Sequence, residues 1–379
     1  MRIAIDARMV AEPLSGPGRY AINIVRSLAA LDQENQYLIL QNRRLHKRIT
    51  TAKNFRTIWV SYPPLSLRGV FLLQSLLKRE KIDIFHSLYF LAPVGPKFLR
   101  LITLHDLAAL RFPNFFQGRG FFVRIYAKAF TRVFIPVSAI YAKKIITVSR
   151  TAKEDIIQWK PELEKKIKVI YEAVDPIFKN TADSNAIQNA RDKFKLNRKV
   201  ILYIGNTRPY KNLPRLIHAY SLLCKGNDSC YQLVIGVSDS RNMPLLRKLS
   251  KRYGLLKSTV FINNLTDEEI VALMNLAEIF VFPSLTESFG LPPLEAMACG
   301  TPVVASKAGS LPEVLGDAAL IVNPENEEEI ARGIKQVLTD KRLREGLIKK
   351  GLERVKLFSW EKTAQETLEV YKAVMKEKQ

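Results

Sequence analysis

SLTESFGLPPLEAMACGTPVV, residues 284–304, sets Glu287 and Glu295 on either side of a Gly290-Leu291-Pro292-Pro293 turn. The apolar run before it, residues 279–282, is β-branched and aromatic, as a buried strand requires. Pro292 and Pro293 suit a first helical turn, where a missing N–H is no loss. The segment therefore predicts strand, glycine loop, helix. The unpaired N–H groups and partial positive charge of a helix start favour an anion the size of a phosphate. Gly290 lets backbone approach a ligand, and the two acids are acceptors for hydroxyls. Phosphate with hydroxyls describes a nucleotide sugar. The competing reading is a solvated loop acid and a helix-start acid favoured by the dipole.

The longer pattern ESFGLPPLEAMACGTPVVAS, followed by GSLPEVLGDAALIVNP, resembles the signature of the group 1, or family 4, retaining glycosyltransferases. The resemblance implies an α/β chain of the GT-B class, with two Rossmann-like domains facing across a cleft and the donor held mainly by the second. It gives Glu287 contact with the donor sugar, backbone amides of Phe289, Gly290 and Leu291 to sugar and phosphate, and Glu295 to the ribose.

A chain of 379 residues exceeds what one core supports, so two domains are expected. They are placed at 1–178 and 179–358, with 359–379 a terminal helix crossing back to the first. No apolar run reaches the roughly 18 residues that span a bilayer. MRIAIDARMV is a strand pattern broken by Asp6 and Arg8, unlike a signal peptide. Cys224, Cys230 and Cys299 lack metal-ligand spacing and are expected as reduced thiols in a cytosol.

The net charge of +23 is concentrated in the first half. Residues 1–180 carry 30 Lys and Arg against 13 Asp and Glu, and the remainder 29 against 23. No acid occurs in 35–79 or in 107–153. The second stretch contains RFPNFFQGRGFFVRIYAKAFTRVF, where Phe115, Phe116, Phe121, Phe122, Phe130 and Phe134 alternate with Arg119, Arg124, Lys128 and Arg132. Aromatics beside cations suit an anionic bilayer surface, so residues 111–144 are expected to hold the protein peripherally at the inner face of the membrane. The competing reading is a core helix with buried Phe and solvated cations. Nucleic acid is not expected, because no recognition helix, RNA-binding motif or zinc finger accompanies the charge.

Strand patterns at 2–7, 36–40, 57–62, 82–88, 101–105, 145–148, 200–204, 231–237, 260–263, 302–306 and 320–323 alternate with helical ones, which argues for parallel sheets. Ligands in such sheets sit at the carboxyl ends of strands. SGPGRY at 15–20 is a glycine turn there and resembles the family's first loop, which assigns Gly16, Gly18 and Arg19 to the site. TLHDL resembles the family's strand-end His-Asp, where His105 lies beside the reacting sugar; His86 is a supporting candidate. Ser149 caps a helix over 151–159 and brings a hydroxyl to the cleft edge. KIKVIYEAVDPIF, residues 166–178, matches the family's last N-domain strand, but carries Glu172-Ala173 where the family usually has Asn-Gly. No role is assigned to that turn.

GNTRPYKNL, residues 205–213, ends the first strand of the second domain with cations suited to a diphosphate. The resemblance gives Lys211 and Arg208 the leaving diphosphate, and Asn263 a place near the base. No D-x-D occurs, so no metal or other cofactor is expected. The expected activity is transfer of a hexose from a nucleoside-diphosphate sugar to a saccharide or lipid-linked acceptor. Likeness to bacterial surface-polysaccharide mannosyltransferases favours GDP-mannose. The retaining family usually proceeds by a front-face route, the leaving phosphate taking the acceptor's proton. Rivals are an epimerase or phosphorylase on the same fold, and a dinucleotide oxidoreductase, against which no G-x-G-x-x-G with a downstream acid follows either first strand.

Overall fold

In a computed structural model of the chain, residues 1–10, 16–43, 45, 47–62, 66–93, 98–112, 115–116, 120–181, 183–224 and 231–377 are described, with the side chains of 67 and 68 left out. Ser15, Arg119 and Cys230 lie outside the described residues. Two compact units form, Met1–Glu172 with Ser359–Gln379 and Ala173–Phe358. The division after Glu172 falls before the expected 178. Residues 173–178 count with the second unit, whose Asn275 fixes the chain just beyond them by donating to Lys179 O (3.1 Å) and accepting from Thr181 N (2.9 Å).

The first unit holds β1 (Arg2–Asp6), β2 (Gln36–Asn42), β3 (Phe55–Val60), β4 (Ile84–Ser87), β5 (Leu99–Thr103), β6 (Lys144–Thr147) and β7 (Ile167–Val169), in the order β3-β2-β1-β4-β5-β6-β7. Every pairing is parallel. Isoleucine, alanine and phenylalanine fill both faces because helices cover both. Ile3, Ala4, Ile5, Phe85, Ile102 and Ile145 are fully buried. The Trp360–Lys376 helix belongs to this unit, and its Thr363 Oγ1 donates to Tyr171 O at 2.8 Å.

The second unit holds β8 (Lys199–Gly205), β9 (Tyr231–Val237), β10 (Thr259–Asn263), β11 (Ile279–Phe282), β12 (Val303–Ser306) and β13 (Ala319–Val322), in the order β10-β9-β8-β11-β12-β13, again all parallel. In each sheet the order reverses beside the first strand, at β1/β4 and at β8/β11. Loops leaving neighbouring strands there turn to opposite faces and open a crevice at the carboxyl edge. Ligand chemistry is sought at those two places. Helix starts are capped as their sequences require: Ser149 accepts from Ala152 N at 3.0 Å, and Thr266 with Glu269 forms a reciprocal capping box.

Candidate functional site

At the β8/β11 reversal of the second unit, the loop leaving β8 is stitched to the loop leaving β11 by Asn212. Its backbone is left-handed (φ 62°), a conformation asparagine tolerates better than most residues. Its amide donates to Pro283 O at 3.0 Å and Pro324 O at 2.7 Å. Leu285 N donates to Tyr210 O at 2.7 Å. The short turn Pro209–Lys211 thereby brings Lys211 Nζ to 2.5 Å from Glu287 Oε1. Lys211 is only 7 % exposed. Removing an ammonium from water is costly, and the carboxylate offsets that cost together with two aromatic faces, Phe282 at 4.9 Å and Tyr210 at 5.3 Å. An ammonium has three donors and Glu287 takes one. Tyr203 lies behind the pair, its phenol pushed well up by burial first and then by the charge of Glu287.

A third loop fixes Glu287. Gly309, at φ +59°, comes so near that a Cβ there would stand 2.4 Å from Glu287 O and 2.6 Å from Glu287 N. Ser310 then donates to Glu287 O from its N (3.0 Å) and its Oγ (3.2 Å). Gly290 (φ +99°) stands as the N-cap of the Leu291–Ala298 helix, two residues before the proline pair. The prolines remove two of the early N–H donors, so amide contact with an anion at this turn falls to Gly290 and Leu291. Glu295 is buried inside the helix. Its charge, after burial, helps push the Cys299 thiol up to about 12. Phe289 spends its ring on the interior, edge-on to Phe358 at 5.6 Å. Arg208 is half-buried in the Lys211 loop, its N–H donating to Asn206 Oδ1 at 3.0 Å. Asn263 stands exposed at the end of β10, two strands from β8.

In the first unit, β5 ends at Thr103, so His105 lies two residues past the strand rather than within it. It is 8 % exposed. Nδ1 lies 3.1 Å from Glu172 Oε1, Nε2 lies 3.4 Å from Leu88 O, and the Tyr20 ring meets the imidazole at right angles, 4.8 Å away. Burial works to lower the pKa of His105; the hydrogen bond and charge of Glu172, with Asp106, outweigh it, and the net direction is up. His86 behaves oppositely, pushed down to about 3 by burial and by the charge of His105. It bridges Tyr371 OH (2.7 Å) and Thr103 Oγ1 (2.9 Å), which makes it a neutral strut under the Trp360–Lys376 helix. Gly16 and Gly18 open the Gly16–Leu31 helix; Gly16 is exposed and Gly18 buried. Ser149 caps its helix as expected, its hydroxyl accepting from Ala152 N, and the residue is fully buried.

The two halves of the chain match two family descriptions, Glycosyltransferase Family 4 over residues 14–178 and Glycosyl transferases group 1 over 185–354. The chain belongs to the group 1, family 4 glycosyltransferases. Among its relatives is the serotype-specific mannosyltransferase WbdA of Escherichia coli, 35 % identical over 242 residues, covering 63 % of this chain and 30 % of WbdA. This glycosyltransferase-family chain thus spans under a third of the length of the first relatives it matches. O-antigen chain mannosyltransferase B of E. coli is 29 % identical over 98 % of this chain and 100 % of its own. A solved structure of Anabaena HepE in complex with UDP-glucose superposes with a TM-score of 0.74 at 17 % identity, over 98 % of this chain and 100 % of that one. The fold is GT-B, with two Rossmann-like units.

One further surface stands out in this family member. The Phe121–Tyr141 helix buries Ala127, Phe130, Thr131, Ile135, Ser138 and Ala139. Its opposite side exposes Phe122 (83 %), Phe121, Val123, Ile125 and Val133 beside Arg132, with Arg124 over the Phe121 ring at 5.6 Å. Phe116 and Phe130 are core, as the core-helix reading expects of its phenylalanines, while Phe121 and Phe122 face out. No helix of the described residues is long and apolar enough to cross a membrane. The sequence reading did not find Glu172 or Gly309 as parts of either site. An acid in place of the family's Asn, and the glycine opening GSLPE, were the available signals.

Proposed function

We propose that this chain is a retaining glycosyltransferase that moves a hexose, mannose before others, from a nucleoside-diphosphate sugar to a saccharide or lipid-linked acceptor in cell-surface polysaccharide assembly. The observation that carries the reading is the pair of buried Lys211 with partly buried Glu287 at the β8/β11 reversal, beside a helix start. Lys211, with Arg208 in the same loop, receives the charge that develops on the departing diphosphate, the largest electrostatic demand of the reaction. Glu287 orients both the lysine and a sugar hydroxyl, and Glu295 takes the ribose. The bond from C1 to the phosphate oxygen breaks as the acceptor oxygen bonds C1 on the same face, and the acceptor's proton passes to the phosphate. Relatives named as mannosyltransferases support mannose as the sugar moved, and GDP is proposed as its carrier.

Thermal unfolding with GDP, UDP and ADP tests the donor. A nucleotide at a hundred times its Kd adds about 2.7 kcal/mol of stability. For a unit of this size that is a rise of roughly 5–10 °C. GDP is expected to give the largest shift. Equal silence from all three would sink the diphosphate site. GDP release from GDP-mannose that needs no acceptor would favour an epimerase or phosphorylase.

The exposed aromatic and basic face of the Phe121–Tyr141 helix supports peripheral attachment to an anionic bilayer, with the acceptor drawn from that surface. Burying a phenylalanine contributes about 1.5–3 kcal/mol. Phe121→Glu with Phe122→Glu is therefore expected to weaken cosedimentation with phosphatidylglycerol vesicles by at least about tenfold, and the parent's binding is expected to fall with salt. Equal binding of both proteins would remove this surface from the account.

A further inference from the structure

Glu172 stands where the family pattern carries asparagine. It is 5 % exposed and holds Nδ1 of His105 at 3.1 Å. The other ring nitrogen faces a carbonyl, Leu88 O, at 3.4 Å. Both partners are acceptors only. A neutral imidazole has one N–H and leaves one of these contacts without a proton, whereas an imidazolium satisfies both. The surroundings agree. Asp106 adds negative charge from the adjoining residue. Tyr20, from the Gly16–Leu31 helix, meets the imidazole through its ring at right angles, while its hydroxyl pairs with Thr103 Oγ1 at 3.3 Å. His86, on β4, is neutral, and both its nitrogens are engaged by Tyr371 and Thr103.

We infer that Glu172 is the positioning residue of His105: it keeps the ring doubly protonated and holds its orientation from Nδ1, so that Nε2–H, only loosely bonded to Leu88 O, is presented as a donor just past the carboxyl end of β5. No proton is transferred; the imidazolium acts as an oriented, charged donor. The inference rests on the glycosyltransferase reading for its consequence, and on the geometry of the first unit for its cause.

The sign of the pH effect follows. With Glu172 present, the folded-state pKa of His105 lies above its ordinary value, so the ring keeps its proton to a higher pH than an ordinary histidine and loses it as the pH rises through that raised value. Without the carboxylate, burial is opposed only by Asp106 and the Leu88 carbonyl, and the proton leaves at a lower pH. Two measurements on the full-length chain and its Glu172→Gln and Glu172→Asp variants test this. In proton–nitrogen NMR of the histidine rings, the His105 titration is expected to move down by about one pH unit or more in Glu172→Gln and to be largely recovered in Glu172→Asp. In mannosyl transfer from GDP-mannose, the alkaline fall of kcat/KM is expected to move to lower pH by the same interval. A loss equal at every pH would show a merely structural role and overturn the inference, as would unshifted His105 titration in a folded Glu172→Gln. A parent protein that transfers no sugar overturns the transferase reading instead, so the two failures are distinct.

Discussion

Lys211→Met is expected to lower turnover by two to three powers of ten, about the loss that follows removal of one donor aimed at developing charge. KM for the donor should move much less, because the demand peaks as the diphosphate departs. The same change removes the cation from a partly buried Glu287, and stranding such a charge costs up to about 3–5 kcal/mol. The single variant is thus expected to lose stability as well, which alone would confuse the result. Lys211→Met with Glu287→Gln resolves it. The pair is then replaced by neutral groups of similar size, so stability in urea should return most of the way while turnover stays low. Initial rates and denaturation midpoints of the three proteins check this. A Lys211→Met protein that is folded and turns over like the parent would rule the loop out as the leaving-group site.

Gly309→Ala is expected to have the second large effect, through a residue that carries no functional group. Its φ of +59° is strained for alanine, and the new methyl would stand 2.4 Å from Glu287 O, a backbone atom that no rotamer change can move aside. Left-handed strain costs of order 1–3 kcal/mol. Relieving the clash requires shifting Glu287 and breaking the two Ser310 bonds, each contributing about 1 kcal/mol. A stability loss of about 3 kcal/mol or more is expected, with turnover down about a hundredfold as Glu287 leaves Lys211. Gly346→Ala is the control. It sits in the Lys341–Val355 helix with nothing within 4 Å of the added methyl, and should gain about 0.5–1 kcal/mol at unchanged turnover. Equal behaviour of the two variants would refute the argument.

The sheets were legible because parallel strands buried on both faces read as short unbroken apolar runs, such as Ile279–Phe282, and the turns after them carry Gly and Pro. Lys211 and Glu287 were legible one at a time, each in its own local pattern. That they touch was not, since the contact is made by Asn212 and Leu285 across residues distant in the chain. Glu172 was read as a departure from a pattern and given no partner. Its partner is 67 residues earlier, and no local period relates β5 to the end of the first unit. The Phe121–Tyr141 stretch displayed aromatics and cations in sequence, but the sheet it packs on decides which phenylalanines are covered. Pro136 lies inside that helix without ending it.

The Trp360–Lys376 helix returns to a unit whose other residues were all joined to the chain before Ala173, and it delivers Tyr371 to His86 and Thr363 to Tyr171. On the ribosome, therefore, the part made first is the part finished last. The stretch 173–358 is contiguous and is able to collapse as soon as it emerges, while the earlier sheet waits with one flank bare. At ordinary elongation rates that interval is on the order of ten seconds or more. During it the nascent chain leaves uncovered the apolar surface that Ala364, Val370 and Val374 later bury.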